Sequence, residues 1–327
     1  MDVLRALHEA LIGRCPPDDV LRSWLAAKPD ATVPDLIRGF AQSRAYRKRA
    51  GVPAFFPNGH FHSPVVDPAT LGDAVQRTRA DANAALRAIE VDIDAMADAF
   101  EAVLDGLNEL DLAVEPVAGR RYASDGSPFP PGDAASLRLM MEQHRPRRIV
   151  EIGSGSSTAA ALDFADDLAL PLDMTCIEPH PARLRSMLGP DDARRVSVIE
   201  RPVQEVDPAI VAALEPGDVL FIDSTHVLKT GSDVHHELFA LLPAIRPGVL
   251  VHVHDCPFPF EYPDLWVTER NYSWNEAYAL RAFLMFNTSF RIVHWAGMLR
   301  RVRPELIRRS RHHTPNPGTS IWIERTS

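Results

Sequence analysis

The apolar positions of this chain change period twice along its length. Over residues 1–50 they recur at helical spacing (Leu4, Leu7, Leu11; Val20, Leu21, Trp24, Leu25; Leu36, Ile37, Phe40) and are interrupted by Pro16-Pro17 and Pro29, which predicts a module of three short helices. Residues 51–72 lose the period. Prolines at 53, 57, 64 and 68 remove backbone donors and fix φ there, so this stretch is an extended arm or a lid. It carries His60, His62 and three phenylalanines, side chains expected to pack on something; His62 is the one taken as a candidate substrate contact.

From Asp73 to Leu112 there is no proline and a single glycine, Gly106. Leu86, Ile89, Ile93, Met96, Phe100, Val103, Leu107 and Leu110 alternate intervals of three and four, a heptad stripe that predicts one long helix over residues 73–115. The flanking residues are mostly acidic (Asp92, Asp94, Asp98, Glu101, Asp105, Glu109), a poor pattern for salt bridges between two copies. Packing within the subunit is therefore preferred, with a homodimer through residues 86–110 as the other arrangement.

After Tyr122 short apolar runs alternate with amphipathic segments. RRIVEIG (147–153), DMTCIEP (173–179), RVSVIERP (195–202), DVLFIDS (218–224) and GVLVHVHD (248–255) read as strands, with helical segments between them. That alternation predicts an α/β domain over residues 116–327: a parallel sheet with helices on both faces, whose ligands lie at the carboxyl ends of the strands. The polar residues collect at those ends.

Composition narrows the function. The 327 residues are 46% hydrophobic and 24% charged, and no apolar run approaches the roughly 20 residues of a membrane span, so neither a membrane-spanning nor a wholly disordered chain is expected. A net charge of −9 argues against a nucleic-acid binder that works by neutralising phosphates over a broad face. Cys15, Cys176 and Cys256 are odd in number and far apart, which supports neither a disulfide framework nor a structural zinc site and fits a reducing cytoplasm. The opening MDVLRALHEALIGR lacks a secretion signal's apolar core.

The first strand runs into Glu151-Ile152-Gly153-Ser154-Gly155-Ser156-Ser157-Thr158, where glycines allow close backbone approach to a ligand and hydroxyls can cap the next helix. Thr158 stands where the dinucleotide fingerprint has its third glycine, which lowers a nicotinamide reading. Glu178 ends the second strand, Gln204-Glu205 follows the third, Asp223 ends the fourth, and SIWIERT (320–326) is a last strand after RIVHW.

In order and spacing this series resembles the class I S-adenosylmethionine-dependent methyltransferases, with a Rossmann-like seven-stranded sheet ending in an antiparallel hairpin. The run DSTHVLKTGSDVHHELFALLPAIRPGVLVHVHD resembles a bacterial subgroup of them, and the segment LIGRCPPDDVLRSWLAAKP resembles a small helical module found beside bacterial glycan-related enzymes. The resemblance implies S-adenosylmethionine as cofactor, with Gly153 and Gly155 approaching its methionine part, Glu178 on its ribose and Gln204 or Glu205 near its adenine; Glu151, Ser154 and Asp223 are further candidate cofactor contacts.

Five of the 13 histidines (226, 235, 236, 252, 254) crowd around strands four and five. Asp223 and Asp255 end neighbouring strands about 5 Å apart, so their carboxylates should face one cleft. Strand alternation puts His252 and His254 on one face and Asp255 on the other, unless the strand end twists free. Two chemistries fit. Either His226 or His254, beside Asp223, acts as general base toward an acceptor hydroxyl or amine, or Asp223, His254 and Asp255 bind a divalent cation (Mg, Mn, Fe or Zn) that activates it. The expected reaction is O-methylation of a small molecule or glycan intermediate; a metal-dependent oxygenase on the same fold and a non-enzymatic scaffold are the alternatives. The insertion 257–287, with a helix starting near Trp274, offers Tyr262 and Trp274 as acceptor contacts. The segment LRRVRPELIRRSRHH (299–313) reads as a solvated basic loop, or else as a contact for an anionic acceptor.

Overall fold

Seven strands make one sheet: β1 (Arg148–Ile152), β2 (Asp173–Ile177), β3 (Val196–Ile199), β4 (Val219–Ile222), β5 (Leu250–Val253), β6 (Phe290–His294) and β7 (Ile321–Arg325). Their order is β3-β2-β1-β4-β5-β7-β6; neighbours among the first five are parallel, and β7 runs antiparallel to both β5 and β6. The chain leaves β1 for β2 on one side and returns to β4 on the other, so the switch point lies between β1 and β4, where a crevice opens at the carboxyl ends. β1, β4 and β5 are almost wholly buried, as strands covered on both faces must be.

The computed structural model describes residues 5, 6, 9, 17–27, 32–41 and 56–327, which divide into two units at residues 70 and 71. In the first unit, α1 (Asp18–Ala27) opens with two aspartates, the charge its N-terminus favours. α2 (Val33–Ala41) is preceded by Thr32, which receives the Asp35 N–H and gives its own N–H to Asp35. The helix expected around Leu4 to Leu11, and Cys15, lie mostly or wholly outside the described residues. Residues 56–70 form turns and one 3-10 turn (Pro68–Thr70), as their prolines dictate. The rings of Phe56, His60, Phe61 and His62 stack on one another, and Phe61 remains 84% exposed.

The single helix expected over residues 73–115 is three helices: α3 (Ala74–Ala80), α4 (Ala82–Ala85) and α5 (Ile93–Glu109). Two aspartates make the breaks. Asp81 accepts the Ala84 N–H and Asp92 the Ala95 N–H, each capping a new start, and Ala88 turns the chain with φ 61°. The stripe on α5 is Met96, Phe100, Leu104 and Leu107, all buried in the subunit's own core, each contributing about 1.5–3 kcal/mol. It packs against α6 (Pro131–His144) and is not left over for a homodimer. The acidic outer side of α5 meets the basic segment 299–313. Arg303 pairs with Asp94 at 2.5 Å, Arg309 pairs with Glu101, and Asn108 bonds the backbone at Arg309 and Arg311. Between α6 and that segment lie α7 (Ser156–Asp167), α8 (Ala182–Met187), α9 (Ala209–Ala212), α10 (Asp233–His236) and α11 (Glu276–Leu284), and the segment itself carries α12 (Ala296–Val302) and α13 (Pro304–Ile307), not a free loop.

Two buried polar knots fix the frame. Asp133 at the start of α6 accepts the backbone N–H groups of Thr319 and Ser320 and the Ser320 hydroxyl, tying α6 to the start of β7. Arg121, ahead of β1, bonds Asp163, Asp166 and Asp192 at 2.8–2.9 Å and so holds the segment leading into the sheet.

Candidate active site

After β1 the chain turns through Gly153-Ser154-Gly155 into α7 (Ser156–Asp167). Gly153 has φ 74°, and a Cβ there would come within 1.9 Å of the Asp223 carbonyl, so only glycine lets the loop lie against the end of β4. Glu151, expected at the ligand, faces inward. Its buried carboxylate accepts the Ser157 hydroxyl at 2.6 Å and the Thr158 hydroxyl, so it shapes the loop from behind; burial raises its pKa to about 7 against those hydrogen bonds. Ser154 Oγ, in contrast, is buried without a hydrogen-bond partner among the described residues.

Glu178, half-buried beyond β2, accepts the Ser154 N–H at 3.3 Å and the His180 N–H at 2.7 Å, which leaves each oxygen free for a further donor. The chain continues into α8 (Ala182–Met187). Gln204, past β3 and ahead of α9 (Ala209–Ala212), is exposed and donates to the Gly231 carbonyl. Loop, carboxylate and amide follow one another along the ends of β1, β2 and β3.

The ends of β4 and β5 carry different chemistry. His226 is buried, with its Nδ1 2.8 Å from Glu276 Oε2 and its Nε2 3.6 Å from both Asp223 Oδ1 and Asp255 Oδ2. Asp223 is the most open of the four, with 29% of its side chain exposed. The Asp255 carboxylate accepts the Thr319 hydroxyl at 2.8 Å, and His254 Nε2 lies 3.7 Å from it. Strand alternation would have sent Asp255 to the far face. It takes a left-handed φ of 49° just past β5 and so joins His254 and His226; His226 itself has φ 61°. Non-glycine residues held in this region cost on the order of 1–3 kcal/mol each and persist only where the surroundings over-determine them.

Glu276, which sequence reasoning missed, opens α11 (Glu276–Leu284) in the insertion. The insertion holds the His226 loop at several points. The backbone N–H groups of Asn275 and Glu276 reach the His226 carbonyl, and the Asn275 side chain bonds both backbone groups of Leu228. Trp274 packs on the imidazole with ring centroids 4.5 Å apart and stacks on Tyr272. Tyr262, expected to touch substrate, is buried, and its hydroxyl accepts the Ala277 N–H; it is a packing residue under Trp266, Trp274 and Tyr278. His62 belongs to the first unit and the other candidates to the second.

Charge sets the protonation states. Burial alone would lower the His226 pKa, but Glu276, Asp255 and Asp223 outweigh it and raise it. The same contest raises His254 to about 9, with Asp223, Asp255 and Asp133 opposing burial. Burial pushes Glu276 up, against the pull of His226. Glu237, buried in the π-helical turn Glu237–Leu241 that follows α10 (Asp233–His236), is pushed up by burial and then by Glu276. The His226 ring lies between Asp223 and Asp255, with Nε2 3.6 Å from an oxygen of each. Among the described residues, no group of three or more His, Cys, Asp or Glu side chains could hold a metal ion. The expected metal site of Asp223, His254 and Asp255 is not among such groups; these side chains stand in an ion-pair cluster around His226 and His254.

Residues 150–256 match the family model described as a methyltransferase domain. An uncharacterised protein of Archaeoglobus fulgidus is 29% identical over 171 residues, 49% of this chain and 74% of that protein. Among solved structures, the SAH-bound methyltransferase of Podospora anserina aligns at 15% identity and a TM-score of 0.40, over 78% of this chain and 97% of its own. Coclaurine N-methyltransferase, bound to N-methylheliamine and SAH, aligns at 12% identity and a TM-score of 0.33, over 80% and 96%.

Proposed function

We propose that this chain is a class I S-adenosylmethionine-dependent methyltransferase that methylates a hydroxyl of a small molecule or glycan intermediate, with His226 as the general base; the match of residues 150–256 to a methyltransferase domain supports the reading. The observation that carries the proposal is the placing of His226 Nε2 between two carboxylates, with Nδ1 held by a buried third. Such an imidazole has one nitrogen fixed as donor and the other turned to the cleft.

The cofactor site fits the residues present. Gly153 and Gly155 let the loop close against the end of β4 and the Arg183 guanidinium, Ser154 Oγ is buried and without a partner among the described residues, and the Glu178 oxygens can each take one ribose hydroxyl. Gln204 would stand at the adenine and Asp223 at the methionine end. Bound there, the cofactor supplies an electrophilic methyl group on a positively charged sulfur. His226 Nε2 takes the acceptor's proton as its oxygen attacks. Glu276 keeps the Nδ1 proton in place, and Asp223 and Asp255 stabilise the imidazolium that forms. His254, as a cation, offsets part of their charge. Trp274 and Tyr272 form an aromatic wall beside the base on which a flat or sugar-like acceptor can lie. Of the arginines in segment 299–313, Arg303 and Arg309 pair with α5.

No helix among the described residues is long and apolar enough to cross a membrane, and the buried thiols of Cys176 and Cys256 are free. The test is an acceptor screen with the wild type and His226→Ala, alongside calorimetric titration of S-adenosylhomocysteine into both. Turnover should be lost in the variant with product affinity retained. An active variant would remove His226 from the mechanism.

A further inference from the structure

A cavity of about 470 Å3 lies between the segment leading into α6 and the helices α7 and α8. Three arginines line it, and they are not alike. Arg120 is paired with Asp167, and Arg121 with Asp163, Asp166 and Asp192. Arg183 makes no ion pair among the described residues; its hydrogen bond is a long one, 3.4 Å from Nη2 to the Ser154 carbonyl. Its guanidinium lies flat on the cofactor loop. A Cβ on Gly155 would come within 2.6 Å of Nη2, so the absence of that atom is what lets the arginine reach this place. Ser156, at the N-terminus of the 12-residue α7, shares the cavity wall.

Arg183 and Glu178 grip opposite ends of one residue: Glu178 accepts the Ser154 N–H, and Arg183 donates to the Ser154 carbonyl. A cation and an anion therefore stand on either side of the loop. The cofactor presents two groups of matching polarity, the ribose diol and the α-carboxylate of its amino-acid end. We propose that Arg183 binds that carboxylate in this cavity, exchanging its 3.4 Å bond to Ser154 for a shorter, charge-assisted pair at the amino end of α7. The inference rests on the methyltransferase reading and adds to it a residue outside the loop and strand-end positions.

The test compares ligands that differ only at the amino-acid end. Calorimetry would measure S-adenosylhomocysteine, its decarboxylated analogue and 5′-methylthioadenosine against the wild type, Arg183→Met and Arg183→Lys, with the melting temperature of each variant recorded. Arg183→Met should weaken S-adenosylhomocysteine by roughly tenfold or more, as loss of a charged hydrogen bond implies. The other two ligands should change by less than about twofold, and Arg183→Lys should recover part of the loss. Equal weakening of all three ligands would mean that Arg183 only supports the loop, and an unchanged S-adenosylhomocysteine affinity would mean that it plays no part; either result overturns the proposal. If the wild type bound neither S-adenosylhomocysteine nor 5′-methylthioadenosine, the methyltransferase reading itself would fall.

Discussion

Two groups of histidines lie within this one domain and are put to opposite uses. His226 and His254 sit at the strand ends among Asp223, Asp255, Glu276 and Asp133, and charge raises both pKa values. His252, His294 and His313 sit deeper, among rings and hydroxyls. His252 stacks on Phe221 at 3.7 Å with neither ring nitrogen bonded, while Ser136 bridges the Nε2 atoms of His294 and His313. With no carboxylate to offset it, burial lowers His252, takes His294 to about 4 and His313 to about 3. His252 and His254 are two residues apart on the same strand face. What separates their chemistry is the reach of three aspartates, which the inner residue lacks.

The contrast can be broken most sharply by kinetics. Turnover of His226→Ala should fall by about 10²–10⁴-fold, the usual range for a lost general base, whereas His252→Leu should stay within about twofold of the wild type. His252→Leu should also melt no lower at neutral pH, because it replaces two unbonded buried nitrogens with an apolar side chain. Comparable losses in both variants would dissolve the distinction. Next in size, Glu276→Gln should reduce turnover by about 10–10²-fold and move the acidic limb of the pH–rate profile to lower pH, because the carboxylate that raises the His226 pKa is gone. An unmoved limb would assign that titration to another group.

Stability against pH should carry opposite signs for the two groups. The core histidines have folded pKa values below the unfolded 6.5, so their neutral forms stabilise fully above pH 6.5. That stability drains as pH falls toward about 4 for His294 and about 3 for His313, with His294 alone accounting for about 3 kcal/mol by pH 4. His254, raised to about 9, contributes fully below pH 6.5 and loses its contribution as pH rises through 9. Melting curves from pH 4 to 10 should therefore flatten on the acid side in His294→Phe and on the alkaline side in His254→Asn. Smallest of all is the effect of chelation. Turnover after EDTA treatment should stay within about twofold, and a collapse restored by Mn or Mg would return the cluster to a metal site.

Most of the sheet is legible in the chain. The five parallel strands follow from apolar runs bounded by turn residues, because a strand buried on both faces must be apolar throughout, while the antiparallel hairpin at the end was implied by the resemblance. The glycine loop, Glu178 and the closeness of Asp223 and His226 along the chain are likewise local in sequence. The break of residues 73–115 into three helices was present as Asp81 and Asp92, though a heptad stripe masks N-caps that lie on its polar side. Glu276 carried no such signal. It stands 50 residues from His226 in an insertion, and nothing in a single chain marks one glutamate out of a helix start.

The succession of strands along the chain, the glycine loop and the identity of the strand-end residues were thus determined by the sequence, since they depend on periods and spacings that short-range sterics impose. Which carboxylates face which histidine was decided only in the tertiary structure. Left-handed turns at His226 and Asp255 and the docking of α11 set those distances, and the charge state of a buried imidazole depends on distances of a few ångströms that no spacing encodes.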